Sequence, residues 1–231
     1  MHAIVTGASR GVGRAIALEL ASRNASLALV ARRRGPLETV AREVAQLGGR
    51  AEVFCADLTH WREIAALVER IDARLGRIDA LVNNAGAFDF SSVAAADLRT
   101  WDAVLDINLR VAIHLTRHAL PYLCRQPSSS VVNIASVAGK DYLAGGAIYS
   151  ATKFALFGFG GSLFEDVRDQ GVKVCTIAPG QAAGRIDHAV DRPDALIVPA
   201  DIARVVAFVL EFPSTSCPTE IVLRAQRSPG G

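Results

Sequence analysis

The stretch HAIVTGASRGVGRAIALELA, residues 2–21, decides the reading of the fold. His2 to Thr6 is a short apolar run that suits a buried strand, and between Arg14 and Arg23 the residues Ile16, Ala17, Leu20 and Ala21 recur at helical spacing. Gly7, Gly11 and Gly13 lie between the two segments. A glycine-rich turn between a strand and a helix lets the backbone approach a pyrophosphate, while the helix N-terminus offers N–H donors and the positive end of its dipole. The glycine spacing departs from the common G-x-G-x-x-G pattern, so the strand, loop and helix setting carries the phosphate-binding reading. Its candidate residues are Gly7, Ser9, Arg10, Gly11, Val12 and Gly13.

The same alternation continues outward. Strands are expected at Ser26 to Ala31, Ala51 to Ala56, Ile78 to Asn83, Ser130 to Ala135, Val172 to Ala178 and Glu220 to Leu223. Helices are expected at Leu37 to Leu47, stopped by Gly48 and Gly49, and at His60 to Leu75, Asp97 to Leu123, Tyr149 to Gln170 and Ala200 to Leu210. Strands alternating with helices imply a parallel sheet covered on both faces. The expected architecture is α/β, three-layered and doubly wound, with a central, mainly parallel sheet of about seven strands in one dinucleotide-binding domain spanning residues 1–231. Gln181 to Val198 is the least patterned region and reads as a substrate loop over the carboxyl edge of the sheet, where open α/β sheets bind ligands. Arg185, His188 and Arg192 in that loop read as solvated, although they could face an acidic substrate.

Composition narrows the function classes. Hydrophobic residues make up 51% of the chain and charged ones 21%, enough for a core and unlike a disordered chain. A net charge of +2, spread without a long basic run, argues against a nucleic-acid or membrane surface. Cys55, Cys124, Cys175 and Cys217 have no paired metal spacing and read as reduced, mostly buried thiols. His114 and His118 share a helix face without an evident third ligand, so they read as a solvated or subunit-facing pair and no metal is expected. The glycine loop follows Met1 too closely for a signal peptide, and no apolar stretch reaches spanning length, so a cytoplasmic protein is expected.

Tyr149 and Lys153 stand four residues apart in YSATK, on one face of the expected helix. An ammonium beside a phenol favours its ionised form, and an unperturbed phenol titrates at about 10, too high for efficient proton exchange at neutral pH. Ser136 follows a buried strand, at the sheet's carboxyl edge, where a hydroxyl can serve a substrate oxygen or cap a turn. Asn108 interrupts an apolar helical stretch in which asparagine is a poor helix former. At the end of the second strand the chain reads Val30, Ala31, Arg32, Arg33, with no carboxylate to hold ribose hydroxyls. Arg32 and Arg33, with Arg10, could instead bind a 2′-phosphate, which favours NADP(H) over NAD(H).

TGASRGVG at residues 6–13, NNAG at 83–86, Asn108, Ser136 and YSATK at 149–153 together resemble the short-chain dehydrogenase/reductase family, in particular its NADP(H)-dependent ketoreductase-type members. The resemblance covers nearly the whole chain and implies a Rossmann fold. It implies that Asp57 and Leu58 lie against adenine, and that Asn84, Ala85 and Gly86 support the cofactor cleft with Pro179 and Gly180. Tyr149 is then the acid/base, Lys153 its modulator and a ribose ligand, Ser136 the oxyanion donor, and Asn108 the holder of a water linking Lys153 to solvent. Family members commonly continue past the Pro-Gly pair with a valine and a carboxamide-binding threonine; here the chain reads Gln181, Ala182, Ala183, Gly184.

The expected activity is reduction of a ketone or aldehyde, or the reverse oxidation, on a small-molecule substrate. A non-catalytic NADP(H)-binding sensor or scaffold of the same fold is the alternative. Phe88, Phe90 and the Gly139 to Gly146 segment are expected to line the substrate pocket with the 181–198 loop. The phenylalanines and glycines of the YSATK helix suggest pairing across a homodimer or homotetramer interface.

Overall fold

Strands whose sequences show no polar alternation lie at the centre of the sheet, where both faces are covered. The structure, a computed structural model, describes residues 1–182 and 196–227. Its strands are β1 (His2–Thr6), β2 (Ser26–Ala31), β3 (Arg50–Cys55), β4 (Ala80–Asn83), β5 (Ser129–Ile134), β6 (Val172–Pro179) and β7 (Glu220–Leu223). They form one seven-stranded sheet in the order β3-β2-β1-β4-β5-β6-β7. Every neighbouring pair is parallel, where the sequence led us to expect a mainly parallel sheet. β4, β5 and β6 are buried along their full lengths, whereas the edge strands β3 and β7 have exposed positions.

Helices α1 (Gly11–Ala21), α2 (Arg34–Gln46) and α7 (Pro199–Glu211) cover one face. Ile16, Leu20, Leu37, Val40 and Val206 pack there against Val5 and Leu27. Helices α3 (Ile64–Leu75), α5 (Val111–Leu123) and α6 (Ala147–Val167) cover the other, with Leu67, Val68, Leu115, Leu163 and Val167 against Ile4 and Leu81. The chain moves outward from β1 to β3 and then returns to place β4 beside β1. That reversal opens a crevice at the carboxyl ends of β1 and β4, the position where doubly wound sheets take their ligands.

Three expectations are corrected. The long helix at Asp97 to Leu123 is α4 (Leu98–Leu105), a π-helical turn (Asp106–Arg110) and α5; the Val111 N–H bonds Asp106 O, so one extra residue enters the turn that carries Asn108. Only Cys175 is buried; Cys55 is exposed at the end of edge strand β3, and Cys124 and Cys217 are partly covered. α1 begins at Gly11 rather than Arg14, because the last glycines of the loop already form its first turn. Most of the expected substrate loop, with Arg185, His188 and Arg192, lies outside the described residues. Among the described residues no helix is long and apolar enough to cross a membrane.

Candidate active site

The loop after β1 is shaped by close backbone contact. Gly7 (φ +65°) and Gly11 (φ +55°) occupy the left-handed region that glycine tolerates. Gly13 is required sterically, since a Cβ there would lie 2.3 Å from Gly7 O and 2.6 Å from Asn84 Nδ2. Arg10 is the N-cap of α1 and Arg33 that of α2; neither helix has a side-chain cap or an acidic residue in its first turn. Two helix N-termini without capping oxygens, each entered through an arginine, suit bound anions. Arg10, Arg32 and Arg33 are exposed, and Ser9 is partly covered.

Cys55 Sγ donates to Arg32 O at 2.8 Å, tying the end of β2 to that of β3. Asp57 follows β3 and accepts from Thr59 N (3.0 Å) and Thr59 Oγ1 (2.7 Å). Burial alone would raise the Asp57 carboxyl, but the Thr59 bonds, assisted by the charges of Arg32 and His60, hold it below the usual carboxylate range. Leu58 beside it is buried.

Thr6, at the end of β1, joins the glycine loop to the NNAG segment. Its Oγ1 accepts from Asn84 N and Ala85 N, both at 2.9 Å, and donates to Val82 O at 3.2 Å; Asn84 Nδ2 donates to Thr6 O at 2.8 Å. Asn83 Nδ2 bonds Asn133 Oδ1 (2.9 Å) and Thr116 Oγ1 (3.1 Å), which links β4 to β5 and α5.

Asn108 sits on the π turn, buried to 2% exposure. Its Oδ1 accepts from Ala87 N (2.8 Å), while Nδ2 donates to Ala87 O (2.8 Å) and Thr152 Oγ1 (3.1 Å). Thr152 Oγ1 in turn donates to Tyr149 O at 2.7 Å. A Cβ at Gly86 would come within 2.9 Å of Asn108 Oδ1, so glycine makes room for this amide.

Ser136 follows β5, and its Oγ accepts from Ala138 N at 3.2 Å, capping a short 3₁₀ turn (Val137–Gly139). That turn presses on α6, because a Cβ at Gly139 would stand 2.7 Å from the Lys153 carbonyl group. Lys153 Nζ donates to Ile134 O at 2.9 Å and lies 5.6 Å from the centre of the Tyr149 ring. Ser136, Tyr149 and Lys153 line one cavity of about 440 Å³, together with Val12, Asn84, Pro179 and Gly180. Phe88, Phe90 and residues 141–144 line it too, as does Ile202 of α7. Ser136, Tyr149 and Lys153 thus line the cavity at the carboxyl edge, whereas Asn108 does not: it bonds Ala87, the residue before Phe88, and Thr152, whose hydroxyl donates to Tyr149 O.

Past β6, Gly180 N donates to Leu223 O (2.8 Å), Ile197 N donates to Gln181 O (2.9 Å), and Ala182 forms a bridge with Ile197. Gln181 lines the cavity where family members commonly have their valine. His114 lies against Trp61 with ring centres 5.1 Å apart. Sequence reasoning missed Thr6, Thr152 and Ile202. Thr152 had one visible mark, its place between the two conspicuous residues of YSATK.

A model of the short chain dehydrogenase family matches residues 1–194. An uncharacterized oxidoreductase of Staphylococcus epidermidis is 34% identical over 223 residues, covering 96% of each chain. One of Staphylococcus saprophyticus is 32% identical over 228 residues, again covering 96% of each. A metagenomic short-chain oxidoreductase solved in complex with NADP is 37% identical, with a TM-score of 0.88 over 99% of this chain and 98% of that one. An alcohol dehydrogenase from the archaeon Thermococcus sibiricus, complexed with 5-hydroxy-NADP, is 25% identical, with a TM-score of 0.90 over 98% of both chains.

Proposed function

Because the chain belongs to the short-chain dehydrogenase/reductase family, we propose that this oxidoreductase uses NADP(H) to reduce a ketone or aldehyde to an alcohol, or to run the reverse oxidation. The observation that carries this reading is the convergence of Ser136, Tyr149 and Lys153 on a cavity that also reaches Val12 and Asn84 beside the glycine loop.

The dinucleotide fits the residues present. The α1 N-terminus and the Gly7–Gly13 contact would hold its pyrophosphate, Arg32 with Arg10 and Arg33 a 2′-phosphate, and Asp57 and Leu58 the adenine side. The NADP and 5-hydroxy-NADP in the two structural neighbours support the choice of cofactor. The chemistry that NADPH supplies when bound is hydride donation to the carbonyl carbon.

Tyr149 gives its phenolic proton to the carbonyl oxygen. The Ser136 hydroxyl, whose oxygen already accepts from Ala138 N, directs its hydrogen to the same atom and stabilises its developing charge. The Lys153 ammonium offsets the negative charge left on Tyr149. Asn108 and Thr152 fix the Tyr149 backbone and the Ala87 loop that face this chemistry.

The test is Tyr149→Phe with a carbonyl panel followed by NADPH absorbance. Turnover should fall roughly 10²–10⁴-fold while NADPH binding persists. Near-native reductase activity in the variant refutes the mechanism; NADPH binding with no carbonyl reduced by the unmodified protein favours a sensor.

A further inference from the structure

We infer that the substrate is a neutral carbonyl compound bearing an aryl or similarly flat apolar group, held on an aromatic shelf whose specificity-determining residue is Phe90; this rests on the reductase reading above. Phe88 and Phe90 lie with ring centres 5.3 Å apart, and Phe90 meets the Tyr149 ring edge-on at 5.9 Å and 64°. Phe90 therefore touches the proposed proton donor and the cavity wall at once.

These rings remain open to solvent: Phe88 is 41% exposed and Phe90 43%, with Leu143 at 45% on the same cavity. A cluster of solvent-open apolar side chains beside reactive groups marks a surface that a ligand covers. The shelf is also held in place. A Cβ at Gly145 (φ +72°) would lie 2.9 Å from Phe90 O, so the 141–146 segment rests on the Phe90 backbone. Asn108 secures the other end of that loop at Ala87. A backbone held in this way presents the rings from a set position, so edge and offset contacts with them can orient a flat substrate.

Charge points the same way. Among the described residues the cavity has two charged walls, Lys153 and Asp141. Lys153 donates to Ile134 O, and Asp141 accepts from Arg224 Nη2 at 2.8 Å. No described arginine lines the cavity, so among the described residues a substrate carboxylate would lose water without a guanidinium to pair with. The cavity of about 440 Å³ must also admit the nicotinamide ring, which favours a compact molecule.

The experiment compares three α-keto compounds in the NADPH assay: ethyl benzoylformate, which is neutral and aryl; benzoylformate, its carboxylate; and ethyl pyruvate, its aliphatic counterpart. The kcat/KM for ethyl benzoylformate should exceed both others by about tenfold or more. In Phe90→Ala and Phe90→Leu the ratio of ethyl benzoylformate to ethyl pyruvate should fall about tenfold. Binding of ethyl benzoylformate to Tyr149→Phe protein with NADP⁺, read by saturation-transfer NMR, should weaken when Phe90→Ala is added. A preference for benzoylformate, such as Arg185, His188 or Arg192 could supply, overturns the substrate class and leaves the reductase reading intact. Equal kcat/KM for the two esters, or binding indifferent to Phe90→Ala, also overturns it. Phe90-dependent binding without any turnover supports the shelf and removes the reductase reading.

Discussion

Gly13→Ala should damage both stability and nucleotide binding, because the new methyl has nowhere to go. Its Cβ would start 2.3 Å from Gly7 O, 2.6 Å from Asn84 Nδ2 and 2.8 Å from Gly7 C. Real Cβ contacts do not fall below 3.0 Å, so α1 and the turn must separate by several tenths of an ångström. Two of the three obstacles belong to the backbone of a residue already held at φ +65°, which cannot rotate aside as a long side chain would. Overpacking of this kind costs about 1–3 kcal/mol. Shifting Asn84 also weakens its 2.8 Å bond to Thr6 O, worth about 1 kcal/mol net. The combined loss of about 2–4 kcal/mol lowers Tm by roughly 4–16 °C in a chain of this size. The displaced first turn of α1 should weaken NADPH at least about tenfold. Calorimetry and a fluorescence titration below both melting temperatures read the two effects. Gly11→Ala is the control: it keeps an unfavourable φ of +55° but has open space around the new Cβ, so it should cost only about 1 kcal/mol. A Gly13→Ala protein with unchanged Tm and NADPH affinity, or one more stable than Gly11→Ala, would refute the steric reasoning.

Three further outcomes are expected. Asn108→Leu removes three hydrogen bonds from a buried site and should lose about 2–4 kcal/mol in urea unfolding; a loss under about 1 kcal/mol would mean that the amide does not hold the Ala87 loop. Arg32→Ser should lower kcat/KM with NADPH about 10–100-fold relative to NADH, and an unchanged ratio would remove Arg32 from the cofactor site. Burial, with Cys217 and Glu220 adding, pushes the Cys175 thiol up to about 12, so iodoacetamide at pH 8 should label exposed Cys55 first and Cys175 only after unfolding. Mass spectrometry that finds Cys175 labelled first in the native protein would contradict its burial.

The sheet and its order of elements were legible because most helices carry a 3.6-residue apolar period and the central strands are mostly apolar; α6, apolar on nearly every side, and β5 and β6, with Ser129, Ser130, Asn133, Lys173 and Thr176, were legible from their place in the alternation instead. The glycine loop was legible for a different reason: it lies between one such strand and one such helix. The π turn at Asp106–Arg110 was not, because inserting one residue hardly disturbs the apolar pattern on either side. Asn108 was its visible trace, a polar residue where the period demanded an apolar one. The expectation for the cysteines failed at β3, since an apolar-looking strand at the sheet edge keeps one face open. Thr6 was invisible for a topological reason. The N–H groups it accepts are 78 and 79 residues away and meet it only because β4 folds back beside β1.

Thr6 and Thr152, which the sequence did not mark as site residues, share a role with two glycines of the expected pocket segment. Thr6 ties β1 to the residues after β4, and Thr152 ties α6 to the π turn. Gly139 seats the Ser136 turn on α6, and Gly145 seats the 141–146 segment on Phe90. None of these contacts repeats along a helix or strand, so no periodicity announces them; each joins segments distant in sequence near the same carboxyl edge. Together they hold the described part of the cavity before any ligand arrives. A pre-set frame affects every substrate alike, so loosening Thr6, Asn108 or Thr152 should disturb kcat and KM across the whole panel. Discrimination between substrates must then come from side chains that face the ligand without supporting the frame. Phe90 is such a side chain: its backbone carries the contact with Gly145, while its ring is left to the cavity and to Tyr149.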